Sequence, residues 1–346
     1  MGSKIYSMII LSLLLSLVFA NERQFFDDLY RNFPKLQDLS AWPYTNSYCH
    51  AYGITCDSYG HVGKFIIYDL ELNGVLPDSI SHLTEIKELT IHNCSVQVNL
   101  NSISSLPKLK KLVLSYNKLS GPIPILSKSL IYLSLIGNSF TLLPPYFPPR
   151  IITLRLANNS FSANITEASQ LFNLSCLQIL SISHNNFSGN LFDSVGHLRY
   201  LRQIVANNNQ LSGTLPYFDQ TYQLSYLDIS HNAFTGKLKS LFDLNLVYIN
   251  LENNLFTGNL PDTISKTSLV HINLSKNCLT GSIPEFKSNR LLSLNLSGNQ
   301  LTINCDDEKK FTSTRLKYGQ CELADNYSNG DCVFEYCSFT KRLTPS

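Results

Sequence analysis

Residues able to do chemistry are few in this chain. Asp228 and Glu252 fall on one face of neighbouring segments, about two strand spacings apart. Paired carboxylates are the groups that cleave glycosidic bonds. An open, shallow surface, however, neither excludes water nor distorts a sugar. The sequence has no H-E-x-x-H, G-x-S-x-G, G-x-G-x-x-G or phosphate-loop motif. His184 and His231 each stand in S-H-N just before a recurring Asn, the place of an exposed turn residue. Cys305, Cys321, Cys332 and Cys337 include no C-x-x-C and no intervening histidine, so no metal centre is expected. The expectation is no catalysis and no cofactor. The remaining chemistry is recognition, by Lys87, Lys111, Tyr132, Arg155, Gln203, Tyr226, Asp228, Tyr248 and Glu252. Aromatic and cationic side chains of this kind anchor interfaces.

These residues must be positioned by a repeat. The pattern L-x-L-x-x-N-x-L-x-G-x-I-P recurs roughly every 23 residues. Its anchors are Phe65, Leu89, Leu112, Leu133, Leu154, Leu180, Ile204, Leu227, Ile249, Ile272 and Leu294. L-x-L is a short strand with its apolar residues on one side. Such a strand cannot stand alone, so the copies must stack into a parallel sheet over a shared core. An Asn follows five residues after the anchor at 117, 138, 159, 185, 209, 232, 254, 277 and 299. The amides of Asn117, Asn138, Asn159, Asn185, Asn209, Asn232, Asn254, Asn277 and Asn299 can each satisfy backbone groups of adjoining turns. Leu70 and Cys94 replace the Asn in the first two coils, Cys94 as a small buried substitute. Positions −1, +1 and +3 from each anchor are expected to face solvent on the inner sheet, and the candidate recognition residues lie there or beside it. Eleven strands at about 4.8 Å make a sheet of roughly 50 Å.

Composition bounds the rest. A net charge of +2 gives no support to nucleic-acid binding. Residues 1–20 carry one Lys, an apolar run over Met8–Phe19 and Val18-Phe19-Ala20 before Asn21, the form of a secretory signal. No later run is long enough to span a membrane, so a secreted, extracellular or cell-wall protein is expected. Nine cysteines then point to disulfides, with Cys49 and Cys56 expected to pair and the last four open to three pairings. Sequons at Asn93, Asn158, Asn164, Asn173, Asn186, Asn273, Asn295 and Asn326 suggest glycans. Phe25, Phe26, Leu29, Tyr30, Phe33 and Leu36 have helical spacing up to Pro34 and should cover the first coil. The expected organisation is 1–20 signal, 21–61 N-terminal cap, 62–305 repeats and 306–346 a cysteine-bearing cap and tail, with the repeats and caps as one elongated domain.

The L-x-G-x-I-P endings, the C-x6-C segment ending in GITC and the preceding Trp42 resemble plant-type extracellular leucine-rich-repeat proteins. Size and repeat number look most like polygalacturonase-inhibiting proteins, and the ectodomains of plant receptor-like kinases share the same repeats. The resemblance covers about residues 22–305. The chain departs from it at Tyr52, where a Trp is usual, and in its last cysteine spacings. The resemblance implies an α/β solenoid, a right-handed superhelix of about 11 repeats with a parallel concave β-sheet and disulfide-bearing end caps. It implies a non-catalytic protein that binds a protein, a peptide or a polysaccharide on that face, as an enzyme inhibitor, a matrix protein or a soluble receptor-like ectodomain.

Overall fold

The protein is described here by a computed structural model covering residues 20–39, 48–167, 174–218, 223–238, 241–266, 268–311 and 320–328. The signal expected over residues 1–20 lies outside these except for Ala20; Trp42, Asn173, Cys332 and Cys337 also lie outside them. The chain packs as two compact units, Met1–Asn159 and Ser160–Ser346.

The first unit opens with helical residues 20–32 and a short helix, Lys35–Asp38, with Pro34 at the break between them. Pro cannot donate a backbone hydrogen bond, which ends the first helix there. Phe25, Phe26, Leu29, Tyr30, Phe33 and Leu36 are all buried. The Phe25 ring meets Phe65 of the first coil edge-on, with centroids 5.8 Å apart. The strand Ile54–Cys56 pairs antiparallel with Val62–Tyr68, and the Cys49–Cys56 disulfide closes this cap. Parallel strands Glu88–His92, Lys111–Val113, Tyr132–Ser134 and Thr153–Arg155 follow in sequence order.

In the second unit, Ile179–Ser181, Gln203–Val205, Tyr226–Asp228, Tyr248–Asn250, His271–Asn273, Ser293–Asn295 and Gln320–Glu322 pair in parallel in that order. The last of these lies beyond residue 305, where the sequence suggested the repeat would stop. A second parallel sheet forms from the L-x-G segments, including Gln210–Thr214, Ala233–Gly236, Leu255–Asn259, Cys278–Ser282 and Gln300–Ile303. Its glycines take left-handed backbone angles. Gly281, at φ 80°, also leaves no room for a Cβ, which would lie 2.6 Å from the Asn259 amide oxygen.

All eleven anchors are buried, none more than 2% exposed. Each aliphatic side chain so buried gains roughly 1.5–3 kcal/mol, offset by the entropy of ordering its coil, so coils are stable only as a stack. The ladder amides join one coil to the next. Asn277 donates to the carbonyls of Leu251 (2.9 Å), Leu274 (3.1 Å) and Ser275 (3.1 Å), and accepts from the Phe256 N–H at 3.1 Å. Phe256 in turn sends its ring into the core against Phe234. Asn138, Asn159, Asn209, Asn232, Asn254 and Asn299 repeat this arrangement, each accepting the N–H of the preceding coil. Asn185 accepts from the Phe161 N–H in the same way. Asn117 accepts from both Cys94 and Val96, so the buried Cys94 is covered by the next coil's amide.

Asn326 is a further rung. Its amide is fully buried, accepts the Leu301 N–H at 3.0 Å and donates to the Leu296 carbonyl at 2.9 Å. That placement corrects its assignment as a glycan acceptor, because a sugar cannot be carried on an enclosed amide.

Candidate functional site

The inner sheet face differs between the two units. In the first, Lys64, Glu88, Lys111 and Tyr132 stand in register on adjoining strands. Glu88 is bound on both sides, by Lys111 at 2.7 Å and Lys64 at 3.4 Å. Partial burial pushes its carboxyl up, but the two lysines outweigh that and hold it below the usual range. Glu88 correspondingly raises Lys111. Lys111 and Arg155 both lie over the Tyr132 ring, 5.5 and 5.9 Å from its centroid. Lys87 is exposed beside Glu88. Along the other edge run the rings of Tyr68, His92 and Tyr116, with centroids 5.9 and 5.3 Å apart. Tyr116 covers Gly137, where a Cβ would come within 2.5 Å of the ring. Sequence pattern alone did not single out this aromatic edge, because Tyr116 follows the strand, at a left-handed turn position (φ 55°).

In the second unit, Gln203, Tyr226, Tyr248 and His271 are in register. The Tyr226 and Tyr248 rings stack at 4.2 Å with an interplanar angle of 2°. Burial raises both phenols, so they remain protonated donors at neutral pH. Beside them run Asp228, Asn250, Asn273 and Asn295. Each accepts the N–H two residues on, at 3.0–3.2 Å, a local Asx turn repeated on four strands. Asp228 also accepts from Ser230 Oγ at 2.7 Å. Glu252 is held by Lys276 at 2.7 Å and Asn273 at 3.0 Å. Partial burial would raise its carboxyl, but these two partners together keep it low. Glu252 is thus committed to Lys276 and Asn273, and Asp228 to the Ser230 N–H and hydroxyl.

The expectation that anchor +3 faces solvent fails at several coils. Ser115, Ser183, Ser230 and Ser275 are buried, as are Thr90, Ser134 and Thr153 at other face positions. Ser115 and Ser134 bond to each other across neighbouring strands at 2.8 Å, and Ser230 and Ser275 bond to the side chains two residues before them, whereas the Thr90 hydroxyl is buried without a partner among the described residues. His184 and His231 are left-handed turn residues, as their S-H-N setting suggested. Among the sequons, Asn158 and Asn186 are exposed. The amides of Asn93, Asn164 and Asn273 donate to Asp69, Glu167 and Glu252. The pairing among Cys305, Cys321, Cys332 and Cys337 falls outside the described residues. Among the described residues no helix is long and apolar enough to cross a membrane.

The family model described as Leucine Rich Repeat matches residues 108–128, 176–198, 223–244, 245–267 and 268–289. Receptor-like protein 41 of Arabidopsis thaliana is 31% identical over 215 residues, covering 58% of this chain and 22% of that protein. Receptor-like protein 53 of the same plant is 35% identical over 188 residues, 51% of this chain and 19% of the relative. The chain thus spans about a fifth of the length of these curated relatives. Among solved structures, the plant peptide hormone receptor RGFR1 in complex with RGF2 has a TM-score of 0.63 at 25% identity, over 73% of this chain and 46% of that one. The Arabidopsis receptor kinase HAESA, solved with the peptide hormone IDA and the co-receptor SERK1, shares the fold at a TM-score of 0.69 and 21% identity, over 88% and 57%. The chain carries leucine-rich repeats over the matched residues and is similar in sequence to plant receptor-like proteins and in fold to plant peptide-hormone receptors.

Proposed function

We propose that this is a secreted, non-catalytic recognition protein that binds a peptide or a protein segment on its inner sheet faces. The observation that carries this reading is the Tyr226–Tyr248 stack beside the lane of Asp228, Asn250, Asn273 and Asn295. Stacked tyrosines give a stiff, half-buried platform that loses little side-chain entropy on contact. The adjoining amides offer donors to an extended backbone, and no group there is arranged to move a proton. The likeness to RGFR1, solved with the peptide RGF2, supports a peptide over a polysaccharide. Exposed Asn158 and Asn186 are the glycan acceptors we propose alongside it.

The test is capture of partners from the medium of the producing tissue by the full chain and by Tyr226→Ala/Tyr248→Ala. Loss of two anchors of this type should weaken a genuine partner by at least about 30-fold, near 2 kcal/mol. A stoichiometric peptide or protein retained by the parent and by Ser293→Ala, but lost by the double variant, supports the reading. A partner held equally by the double variant refutes it.

A further inference from the structure

The inner face of the first unit is built differently from the tyrosine platform, and we infer that it is a separate docking surface for an acidic, amphipathic peptide segment. The inference rests on the non-catalytic recognition reading above but on other residues.

Side chains two apart on a strand share a face, so the strands here present three parallel lanes. One edge carries Lys64, Glu88 and Lys111, with Lys87 beside them, while Arg155, in register with Ser134 on the next lane, reaches over Tyr132. Four cations meet two carboxylates, Glu88, already shared by Lys64 and Lys111, and Asp57, which feels the charge of Lys87, so an excess of positive charge remains. The middle lane is Ile66, Thr90, Val113 and Ser134 in register, ending on Arg155. Its two hydroxyl residues are buried, while Ile66 and Val113 are half-exposed, so the floor offered to a ligand is aliphatic. The far edge is the aromatic run of Tyr68, His92 and Tyr116, with both tyrosines nearly half exposed.

A cationic edge, an apolar floor and an aromatic edge select the occupant. The excess positive charge calls for carboxylates or an equivalent anion, and clustered cations recognise acidic motifs. The aliphatic floor discriminates among polyanions. An acidic sugar chain would lay hydroxyls on Ile66 and Val113 and leave them without partners, a loss on desolvation. An extended peptide alternates its side chains, so acidic residues can reach the lysines while apolar ones rest on the floor and against the tyrosines. Lys111 and Arg155, both over the Tyr132 ring, hold two of the cations in fixed places, which favours a carboxylate pair of matching spacing over diffuse charge.

The experiment uses the full chain and a fluorescein-labelled peptide alternating Asp or Glu with Leu or Tyr. Anisotropy titrations are run at about 50 and about 300 mM salt, where screening differs strongly. An oligogalacturonate of equal charge and the Lys-for-Glu peptide serve as competitors. Saturable binding of the acidic peptide is expected, weakened about tenfold by the higher salt and by Lys64→Glu/Lys87→Glu, both exposed. Tyr116→Ala should weaken it several-fold, and Tyr226→Ala/Tyr248→Ala should leave it unchanged. No saturable binding, equal binding by the oligogalacturonate, or insensitivity to the lysine reversals overturns the inference. Loss of binding in the Tyr226/Tyr248 variant alone would overturn the assignment to the first unit while leaving the tyrosine platform standing.

Discussion

Replacing Asn277 by Ala tests the ladder at one rung. The amide makes four hydrogen bonds, and two of them cross to the preceding coil, from the Phe256 N–H and to the Leu251 carbonyl. A buried backbone group left without a partner costs about 1–3 kcal/mol, so two such groups give about 2–5 kcal/mol, allowing for some repair by water. The damage should be local, because each coil contacts only its neighbours. Hydrogen exchange at Phe256 is therefore the sharper assay than a melting curve, which need not be two-state in a repeat protein. Exchange there should accelerate by about 30-fold to several thousand-fold. Asn277→Asp keeps the acceptor but turns a carboxylate toward three carbonyls. It should be at least as damaging at neutral pH and partly rescued in acid, where the protonated group can donate. If Asn277→Ala changes Phe256 exchange by less than about twofold, the ladder is not what closes the coils.

Two further expectations concern the N-terminal cap. Cys49 and Cys56 are seven residues apart, and opening so short a loop by Cys→Ala at both should cost about 2–3 kcal/mol, read as a lower denaturant midpoint in the fluorescence of the single Trp42; an unchanged midpoint would contradict this. Glu22 is fully buried, accepts the Tyr48 hydroxyl at 2.5 Å and lies 3.6 Å from His61; burial raises its carboxyl above 4.5. The native cap therefore holds that proton more tightly than the unfolded chain does. The contribution is fully present below about pH 4.5 and is lost as pH rises through the folded-state value. Glu22→Gln should flatten this decline, and parallel stability profiles for the two proteins would contradict it.

The coil architecture was legible because its cause is periodic. An apolar anchor, a turn amide and a bend glycine recur together, and a single misplaced residue cannot hide the rhythm. The coil beyond residue 305 was missed because Cys321 takes the anchor position and the interval from Leu294 is longer than the others. The Asn at 326 was the available clue, five residues after that anchor. The second sheet is not marked in the sequence, because the Gly of L-x-G reads as a bend. Once the ladder fixes the turn, successive L-x-G segments are extended and close enough to pair. The recognition face was only half legible. Strand alternation identified Tyr226 and Tyr248, but it cannot tell an exposed Ser from one folded back onto its own backbone, as Ser230 is. Nor does it reach Tyr116, whose left-handed turn carries it back onto the face.

The direction of the cross-coil bonds has a bearing on how the chain is made. Asn277 still grips two carbonyls of its own loop if the preceding coil is taken away, whereas Phe256 loses the acceptor for its N–H if the following coil is missing. Dependence therefore points toward the C-terminus. As the polypeptide emerges from its N-terminal end, each newly completed turn from the second coil onward waits unsealed for its successor, and the arrival of the next asparagine closes it.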